Sequence, residues 1–438
     1  MRSPARKPLT HTLSLGLCLA AFATSAVAQE GPVPENIPHL DHVFVIMMEN
    51  HGYSQIVDNP NAPFINKYAH SANTATNYYA VAHPSLTNYL EVVGGSNFGI
   101  LNDNSPLWHS TSCTPNIVSG ITAWDVSSTP NNCPIAGHGT DAATPAVDFK
   151  NENSTPAGTN NIDGTASIPA DIHILGKSIA DQLVTAGRTY KSYQESLPIG
   201  GADLVNNSDG YFSNLTDFSK ITPVLTPPLS ASGIVNEYAV KHNPFLYFQS
   251  TEEGHDSRNT LNNTVSFEGQ RGLWADLATG HVPTYSFIAP NQCHDQHGRG
   301  NAGPYCNYDP TTNGTQAGLN PALIQLGDIT VERLVKAIHS SPAWKDGRNA
   351  IVLLWDENDY SDVPNTNQVL TVVDTNYGVQ GTKSNTRYTH FSLLKSIEGG
   401  LGLPCLNHAC DNDVKTMSDL FATGDHHDGD ANDDSDRN

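Results

Sequence analysis

The alternation of apolar and polar stretches along the chain predicts four strands that are buried on both faces. Each candidate is a continuous apolar run that ends near polar residues, as do the interior strands of a parallel sheet. Apolar runs alone do not separate a strand from a buried helix, so length and flanking residues support the choice of strand. The four runs are His42–Met48, Phe245–Phe248, Tyr285–Pro290 and Ala350–Trp355.

Between these runs, apolar residues recur at the spacing of amphipathic helices. One helical segment covers Ile174–Ala186 and a longer one covers Ala322–His339. Buried strands that alternate with amphipathic helices are typical of a mostly parallel sheet. The pattern therefore predicts an α/β fold, with a mostly parallel central sheet and helices on both of its faces.

Two segments depart from this pattern. Residues 99–170 are rich in Gly, Pro, Asn, Ser and Thr, which predicts a long, loop-rich insertion. The last fourteen residues, Asp425–Asn438, contain six Asp and one Arg, a composition typical of a disordered acidic tail. We therefore predict one large domain over residues 38–424, with the insertion inside it and the tail after it.

The first 28 residues have the three parts of a secretory signal peptide. Its basic positions are Arg2, Arg6 and Lys7, its apolar centre is Leu13–Phe22, and its cleavage motif of small residues ends at Ala28. The apolar centre is too short for a comfortable membrane span, and no other run in the chain reaches spanning length. A buried N-terminal helix is the alternative. We expect an exported protein, secreted or periplasmic, without a transmembrane anchor.

Six cysteines follow this leader, an even number that suggests disulfides in an oxidising compartment. Six cysteines allow fifteen pairings, but sequence neighbours fall into three couples that each close a short loop. A zinc–thiolate site is the alternative, although no couple has C-x-x-C spacing. The predicted pairs are Cys113–Cys133, Cys293–Cys306 and Cys405–Cys410.

The charge balance narrows the classes of partner. The chain of 438 residues has 44 acidic and 22 basic residues, a formal net charge of -22. Binding to nucleic acid requires a basic surface for phosphate contacts, and anionic membranes attract polybasic patches. We therefore expect no binding to nucleic acid. An anionic small molecule is still compatible with this charge, because bound metal ions reverse the local field.

Polar side chains with metal-binding chemistry follow three of the four predicted strands. In an open parallel sheet, ligands bind at the carboxyl ends of the strands. Each carboxylate on its own is equally well explained as a helix cap or a surface residue; the coincidence at three strand ends favours a shared site. The residues concerned are Glu49, Asn50, Asn291, His294, Asp295, His297, Asp356, Glu357 and Asp359.

Ser85 is the candidate nucleophile. The segment His83-Pro84-Ser85 leads into a helical pattern, which places the Ser85 hydroxyl near the free N–H groups of a helix N-terminus. A serine before a helix is most often a simple N-cap, and only the nearby metal-type residues favour catalysis. The chain has no G-x-S-x-G elbow for Ser-His-Asp hydrolysis. His390 begins another apolar helix and is a candidate for phosphate binding or proton donation.

Seven ordered segments resemble the secreted phosphoesterase family of bacterial and fungal acid phosphatases and phospholipases C, within the alkaline-phosphatase-like superfamily. They run in the family's order over roughly residues 38 to 405, which is more specific than any one match. The segments are Val45–Tyr53, Ala62–Asn66, Asn77–Ala80 with His83–Ser85, Tyr193–Glu195, Pro290–His297, Trp355–Glu357 and His390–Glu398.

The resemblance implies an alkaline-phosphatase-like fold and a metal-dependent phosphate-ester hydrolase. It implies Ser85 as a nucleophile that becomes phosphorylated. By the same resemblance, other residues bind metal, contact substrate or transfer protons. Metal ligands are expected at Glu49, Asn50, Asp295, Asp356 and Glu357, substrate contacts at His83, Asn291 and His294, and catalytic roles at His297 and His390.

One departure from the superfamily affects the cofactor. Asp356-Glu357 stands where relatives often carry Asp-His, and the second metal site of the superfamily is often richer in histidine. One or two divalent ions are expected, and oxygen-rich ligation is compatible with Zn, Mg, Mn or Ca. His255-Asp256 is a further candidate for the pocket, against the alternative of a plain loop.

The leading prediction is a phosphomonoesterase of the acid-phosphatase type. A phospholipase C or another phosphodiesterase is the alternative, so the expected substrate is a phosphate-ester small molecule or a phospholipid headgroup. A non-catalytic, metal-binding secreted protein is the alternative from a different class. The natural substrate and the oligomeric state are left open.

Overall fold

An eight-stranded, mostly parallel sheet forms the centre of the computed structural model. The structure describes residues 30–98, 100, 103, 109–110, 133–134, 176–197, 238–298, 306, 320–359, 362 and 366–421. In these residues the strands are β1 (His42–Met48), β2 (Asn73–Ala75), β3 (Tyr78–Tyr79), β4 (His109–Ser110), β5 (Cys133–Pro134), β6 (Tyr190–Gln194), β7 (Thr264–Ser266), β8 (Tyr285–Ala289), β9 (Asn349–Trp355), β10 (Thr371–Thr375), β11 (Lys383–Ser384) and β12 (Tyr388–Thr389).

The order of strands in the sheet is β11-β2-β10-β9-β1-β8-β6-β7. β1 lies between β8 and β9 and pairs in parallel with both. Among the ladders of this sheet, β10 runs antiparallel to its neighbours β9 and β2. All seven residues of β9 are buried, so both faces of the central sheet are covered. The predicted fold class is confirmed.

The helices of the described residues pack in two groups. α3 contacts α4 and α8, whereas α7 contacts α2 and α6. The helices are α1 (Tyr53–Ile56), α2 (Pro63–Ser71), α3 (Ser85–Gly94), α4 (Ile179–Thr185), α5 (Gln249–Glu253), α6 (Leu273–Thr279), α7 (Pro321–Ser340), α8 (His390–Gly400) and α9 (Ser418–Phe421). None of them is both long and apolar enough to cross a membrane.

Three of the four predicted strands are confirmed as β1, β8 and β9. The prediction of a strand at Phe245–Phe248 is wrong, because a 3-10 helix covers Pro244–Tyr247. Pro244 fixes its own φ near the helical value and has no N–H to donate to a sheet ladder. The apolar run correctly predicted that these residues are buried, but burial does not distinguish a strand from a 3-10 helix.

Both predicted helices are present with shifted ends. α7 begins one residue before the predicted range, where the Asn320 side chain accepts a hydrogen bond from the N–H of Ala322 at 3.0 Å. α4 begins after Ser178, whose N–H donates to Asp181 Oδ2 at 2.8 Å, an arrangement typical of a helix start. The prediction extended this helix back to Ile174, which lies outside the described residues.

Two of the predicted disulfides are confirmed, Cys293–Cys306 and Cys405–Cys410. The pair Cys113–Cys133 stays a prediction, because Cys113 lies outside the described residues. The predicted leader over residues 1–28, most of the predicted insertion and the acidic tail Asp425–Asn438 also lie outside them.

Candidate functional site

The Ser85 hydroxyl is buried between two carboxylates. α3 begins at this residue, which is 1% exposed. Ser85 Oγ lies 3.0 Å from Glu49 Oε2 and 3.2 Å from Glu357 Oε1. The three residues come from three separate segments of the chain, so this cluster exists only in the folded protein.

The two carboxylates next to Ser85 have pKa values that are shifted in opposite directions. A hydroxyl has one proton and donates it to one acceptor at a time. Burial raises the pKa of Glu49, but His242 and Lys241 outweigh burial and hold that pKa at about 2. Burial raises the pKa of Glu357. Ionised Glu49 is therefore a suitable acceptor for the Ser85 proton, whereas burial favours the protonated form of Glu357.

Glu49 and Asp356 meet because their strands are neighbours. Met48 and Trp355 are partners in the parallel ladder of β1 and β9, and each is followed directly by a carboxylate. The N–H of Asn50 donates to Asp356 Oδ1 at 3.0 Å. Burial, together with the charges of Glu49 and Glu357, raises the pKa of Asp356 well above its usual value. Burial and the neighbouring negative charges therefore disfavour the ionised form of Asp356, and a bound cation would favour it.

The oxygen atoms around these strand ends have the chemistry of a metal site. Asn50 Oδ1 and Asp356 Oδ2 are buried and have no hydrogen-bond partner within the described part of the chain. Carboxylate and amide oxygens suit hard divalent cations. As they stand, no three His, Cys, Asp or Glu side chains of the described residues converge closely enough to enclose a metal ion. The types of donor atom present, carboxylate and amide oxygens, fit a divalent cation.

Two residues that the sequence analysis missed supply positive charge to this cluster. Lys241 Nζ lies 3.5 Å from Ser85 Oγ and 3.2 Å from Asp103 Oδ2. His242 Nε2 lies 2.9 Å from Glu49 Oε1. Although burial lowers it, the pKa of His242 is raised to about 9 by Glu49 and Asp295. Both residues belong to a 3-10 turn that lacks any sequence motif for catalysis, so no local signal pointed to them.

Asp103 connects the nucleophile helix to Lys241. Its Oδ1 accepts a hydrogen bond from the N–H of Leu86 at 3.0 Å, in the first turn of α3, and its Oδ2 binds Lys241. Asp103 is 1% exposed and lies within the range predicted as a loop-rich insertion. The described part of that range therefore contributes directly to the environment of Ser85.

The loop after β8 brings Asp295 and His297 toward the same cluster. Asp295 Oδ2 lies 3.3 Å from His242 Nδ1, and Asp295 Oδ1 accepts the N–H of His297 at 2.7 Å. His297 Nδ1 lies 2.8 Å from the carbonyl oxygen of Gly298, which only accepts hydrogen bonds, so Nδ1 carries the proton. This tautomer leaves a lone pair on His297 Nε2.

Asn291 and His294, predicted to contact substrate, take part in a different network. Asn291 Oδ1 accepts the N–H of His294 at 3.0 Å, and its Nδ2 donates to Ser196. His294 Nδ1 lies 2.9 Å from Glu195 Oε2. These contacts join the segments that follow β6 and β8, and a role of the two side chains in substrate contact stays a prediction.

His83 lies beside Ser85 and binds the second carboxylate. His83 Nδ1 is 2.6 Å from Glu357 Oε2, and both side chains are buried. Asn88 Nδ2, one helical turn after Ser85, donates to the same oxygen at 3.2 Å. Glu357 is therefore held by two partners on the side away from Ser85.

Asp256 is not part of this cluster. It forms an ion pair with Arg258 at 2.7 Å, and both side chains are at least partly exposed. The alternative interpretation of His255-Asp256 as a plain loop is the one that these contacts favour.

His390 lies behind Asp356, with both ring nitrogens engaged. Nε2 lies 2.6 Å from the carbonyl oxygen of Asp356, so Nε2 carries the proton, and Nδ1 accepts from the hydroxyl of Tyr78 at 3.0 Å. Burial lowers the pKa of His390 to about 4. A neutral imidazole with these two bonds orients the peptide of Asp356 and has no proton left for a leaving group.

The neutral state of His390 predicts a loss of stability in acid. The unfolded chain takes up a proton near pH 6.5, whereas the folded chain does so near 4. Stability contributed by the neutral ring is complete above pH 6.5 and falls as the pH drops toward 4. We expect this residue to account for about 2 kcal/mol of the decrease in unfolding free energy between pH 7 and pH 5.

The check compares denaturant unfolding of wild-type, His390→Gln and His70→Gln proteins at both pH values. His70 is exposed and serves as the matched control. His390→Gln should be less stable at pH 7 but lose less on acidification, whereas His70→Gln should follow the wild type. Equal losses in all three proteins would contradict this role.

Comparisons with known proteins match most of the chain. A model described as the Phosphoesterase family matches residues 54–404. A phosphatidylinositol-3-phosphatase of Mycobacterium tuberculosis is 23% identical over 396 residues, which cover 90% of this chain and 88% of that protein. An acid phosphatase of Aspergillus fumigatus is 24% identical over 363 residues, which cover 83% of this chain and 55% of that protein. The chain thus spans about half the length of the fungal relative.

Among solved structures, a protein in the alkaline phosphatase superfamily from Vibrio parahaemolyticus has 12% sequence identity and a TM-score of 0.41. The match covers 86% of this chain and 70% of that chain.

Proposed function

This chain belongs to the Phosphoesterase family, and on that premise we propose that it is a phosphomonoesterase of the acid-phosphatase type with Ser85 as its nucleophile. The expectation of a hydrolase acting on phosphate esters agrees with the family. One observation supports the proposal that Ser85 is the nucleophile. The buried Ser85 hydroxyl lies between Glu49 and Glu357, with Lys241 beside it.

The first half of the proposed reaction uses groups already in contact. Ser85 Oγ attacks phosphorus while ionised Glu49 accepts the hydroxyl proton at 3.0 Å. The bond between phosphorus and the ester oxygen breaks, and that oxygen takes a proton from the Glu357–His83 pair. The ammonium of Lys241 offsets negative charge that gathers on the phosphoryl oxygens.

The second half regenerates the enzyme. A water molecule attacks the phosphoserine and gives a proton to the Glu357–His83 pair, which replaces the one lost to the leaving group. The bond between Ser85 Oγ and phosphorus breaks, Glu49 returns the hydroxyl proton to Oγ, and phosphate leaves. Ser85 is the first residue of α3, so the positive end of this helix dipole lies beside the phosphoryl group in both halves, and a helix N-terminus is a favourable site for an anion. Asp103 keeps this helix start next to Lys241.

We propose that a divalent cation is held by Glu49, Asn50 and Asp356, with Asp295 and His297 nearby. The buried, unpaired Asn50 Oδ1 and Asp356 Oδ2 support this assignment. When bound, such a cation supplies positive charge that lowers the pKa of a hydroxyl and stabilises developing charge on phosphoryl oxygens. Its identity among Zn, Mg, Mn and Ca stays open.

Monoesters are the favoured substrates, because both relatives described above are named as phosphatases. Phosphomonoesters include both small metabolites and phosphorylated lipid headgroups, and the enzyme is expected to accept either kind of leaving group if the phosphate is terminal. The diester alternative, a phospholipase C, requires room for a second substituent on phosphorus.

Substrate preference is the test of this choice. With the metal-reconstituted enzyme, we expect p-nitrophenyl phosphate to be hydrolysed at least about 100-fold faster than p-nitrophenylphosphorylcholine, because a site that binds a terminal phosphate discriminates against a second ester group on phosphorus. Release of p-nitrophenol is followed at matched concentrations. Turnover of the diester alone would support the phospholipase alternative instead.

We also propose that the enzyme works outside the cytoplasm, in the periplasm or the medium. Two disulfides in the described residues support this, since such bonds persist in oxidising compartments. The leader-like composition of residues 1–28 supports export independently of the disulfides.

A further inference from the structure

One cavity away from Ser85 is lined by several positively charged side chains, although the chain has few Lys and Arg residues. Its volume is about 410 Å³, within the usual range for small-molecule sites. Arg188, Lys191, Arg258 and Arg271 line it, four of only 22 Lys and Arg residues in the chain. A local cluster of cations in a protein with a net charge of -22 is not explained by composition.

Only half of this charge is neutralised by neighbouring carboxylates. Arg258 binds Asp256 through two nitrogens, and Lys191 Nζ lies 2.5 Å from Asp276 Oδ2. Within the described residues, neither Arg188 nor Arg271 forms an ion pair with a carboxylate. The cavity therefore has two positive charges in excess of its carboxylate partners.

The two arginines without a carboxylate differ in how they are held. Arg271 Nη2 donates to the carbonyl oxygen of Asn262 at 2.9 Å, which fixes the guanidinium and leaves its other N–H groups for a ligand. Arg188 is half-buried directly before β6. Thr189, Thr260 and His281 add polar atoms to the lining.

This cavity lies at the opposite end of the sheet from Ser85. Residues 187–190 lead into β6 and residues 281–283 lead into β8, so the cavity is at the amino ends of these two strands. The Ser85 cluster lies at the carboxyl ends. A five-residue strand is roughly 17 Å long, so one small ligand does not reach both places.

The chemistry of the lining selects the class of ligand. Guanidinium groups bind phosphate oxygens through paired, charge-assisted hydrogen bonds. The two arginines without a carboxylate partner match a ligand with more than one phosphate group, and the cavity is large enough for such a ligand. We propose that this cavity is a second, non-catalytic binding site for a small anion that carries two or more linked phosphate groups, separate from the site that contains Ser85.

Calorimetry with methylenediphosphonate, which phosphatases do not hydrolyse at its P–C–P link, tests the proposal. The full-length, metal-loaded protein is titrated in phosphate-free buffer, and inhibition of p-nitrophenyl phosphate hydrolysis by the same compound reports separately on the Ser85 site. The variants are Arg188→Gln, Arg271→Gln and the double variant. Arg348→Gln is the matched control, since its guanidinium lies against Tyr377 outside the cavity.

We expect each single variant to bind methylenediphosphonate about tenfold more weakly by calorimetry, and the double variant to lose this site. The inhibition constant, KM and kcat for p-nitrophenyl phosphate should stay at wild-type values, and Arg348→Gln should match the wild type in every measurement. Thermal melting confirms that each variant is folded.

Three results would overturn the proposal. An unchanged isotherm in the double variant would show that the cavity does not bind the anion. Binding that is fully accounted for by the inhibition constant would assign all of it to the Ser85 site. Equally tight binding of inorganic phosphate would remove the requirement for linked phosphates. Calorimetry measures binding to this cavity whether or not the protein hydrolyses phosphate esters. Failure of the proposed phosphatase function is therefore distinguishable from failure of the proposed anion site.

Discussion

The Ser85→Ala protein is expected to hydrolyse phosphate monoesters slower than the wild type by on the order of 10⁴-fold or more. Ser85 Oγ forms the covalent bond to phosphorus in the proposed reaction, and its hydroxyl contacts both Glu49 and Glu357. The change removes one oxygen atom from a buried site, so the fold should be retained. The measurement is kcat/KM for p-nitrophenyl phosphate.

Ser96→Ala is the matched control for this substitution. Ser96 is also buried and lies just after the same helix, where its Oγ accepts the N–H of Phe98 at 2.9 Å. We expect Ser96→Ala to keep kcat/KM within about threefold of the wild type, because it is remote from the carboxylates. Wild-type activity in Ser85→Ala would exclude the covalent mechanism, whereas no hydrolysis by either protein is the outcome expected of a non-catalytic metal-binding protein.

Glu49→Gln is expected to have the second-largest effect, a decrease in kcat/KM on the order of 10³-fold. Glutamine keeps the shape of the side chain but cannot accept the Ser85 proton as a base and is a weaker ligand for a cation. It also leaves His242, which lies 2.9 Å from Glu49 Oε1, beside a neutral group. Two measurements are needed, kcat/KM and the metal content per chain by elemental mass spectrometry.

The matched control is Glu332→Gln, which removes an exposed carboxylate paired with Lys336. That variant should keep both activity and metal content. Glu49→Gln should lose both, and removal of metal from the wild type by EDTA should reproduce the loss of activity until a divalent ion is restored. Full activity of Glu49→Gln would contradict the assignment of Glu49 as base and ligand.

The sheet could be predicted from sequence because its central strands are buried on both faces. β1, β8 and β9 are continuous apolar runs, as interior strands of a parallel sheet require, although the 3-10 helix Pro244–Tyr247 has the same pattern. β6 and β7 were not predicted, since Tyr190–Gln194 mixes polar and aromatic residues and Thr264–Ser266 is only three residues long. Their pairing is set by tertiary contacts with β8 and with each other.

The candidate site was predictable where it follows from strand geometry. Glu49 and Asp356 come directly after β1 and β9, so the sheet itself brings them together. Lys241 and His242 could not be found this way, because they belong to a turn whose position depends on packing against α3. Sequence patterns identify residues at the ends of regular elements, but they contain no information on where an irregular turn folds back.

The histidines illustrate the same limit. His83, His294, His297 and His390 were all assigned to chemistry from their motifs, yet their contacts differ. His83 binds Glu357 next to Ser85, whereas His390 binds the backbone of Asp356 and the hydroxyl of Tyr78. A motif gives the residue type at a position, and only the surrounding hydrogen bonds decide between a ligand, a proton donor and a positioning residue.

The most direct test of the central claim is to locate the phosphoryl group on the enzyme. The metal-loaded protein is mixed with phosphate-labelled p-nitrophenyl phosphate, quenched in acid within the first turnover, digested and mapped by mass spectrometry. We predict phosphoserine at Ser85, absent from Ser85→Ala and present in Ser96→Ala. A label on a histidine, or none despite a burst of p-nitrophenol equal to the enzyme concentration, would contradict Ser85 as the nucleophile.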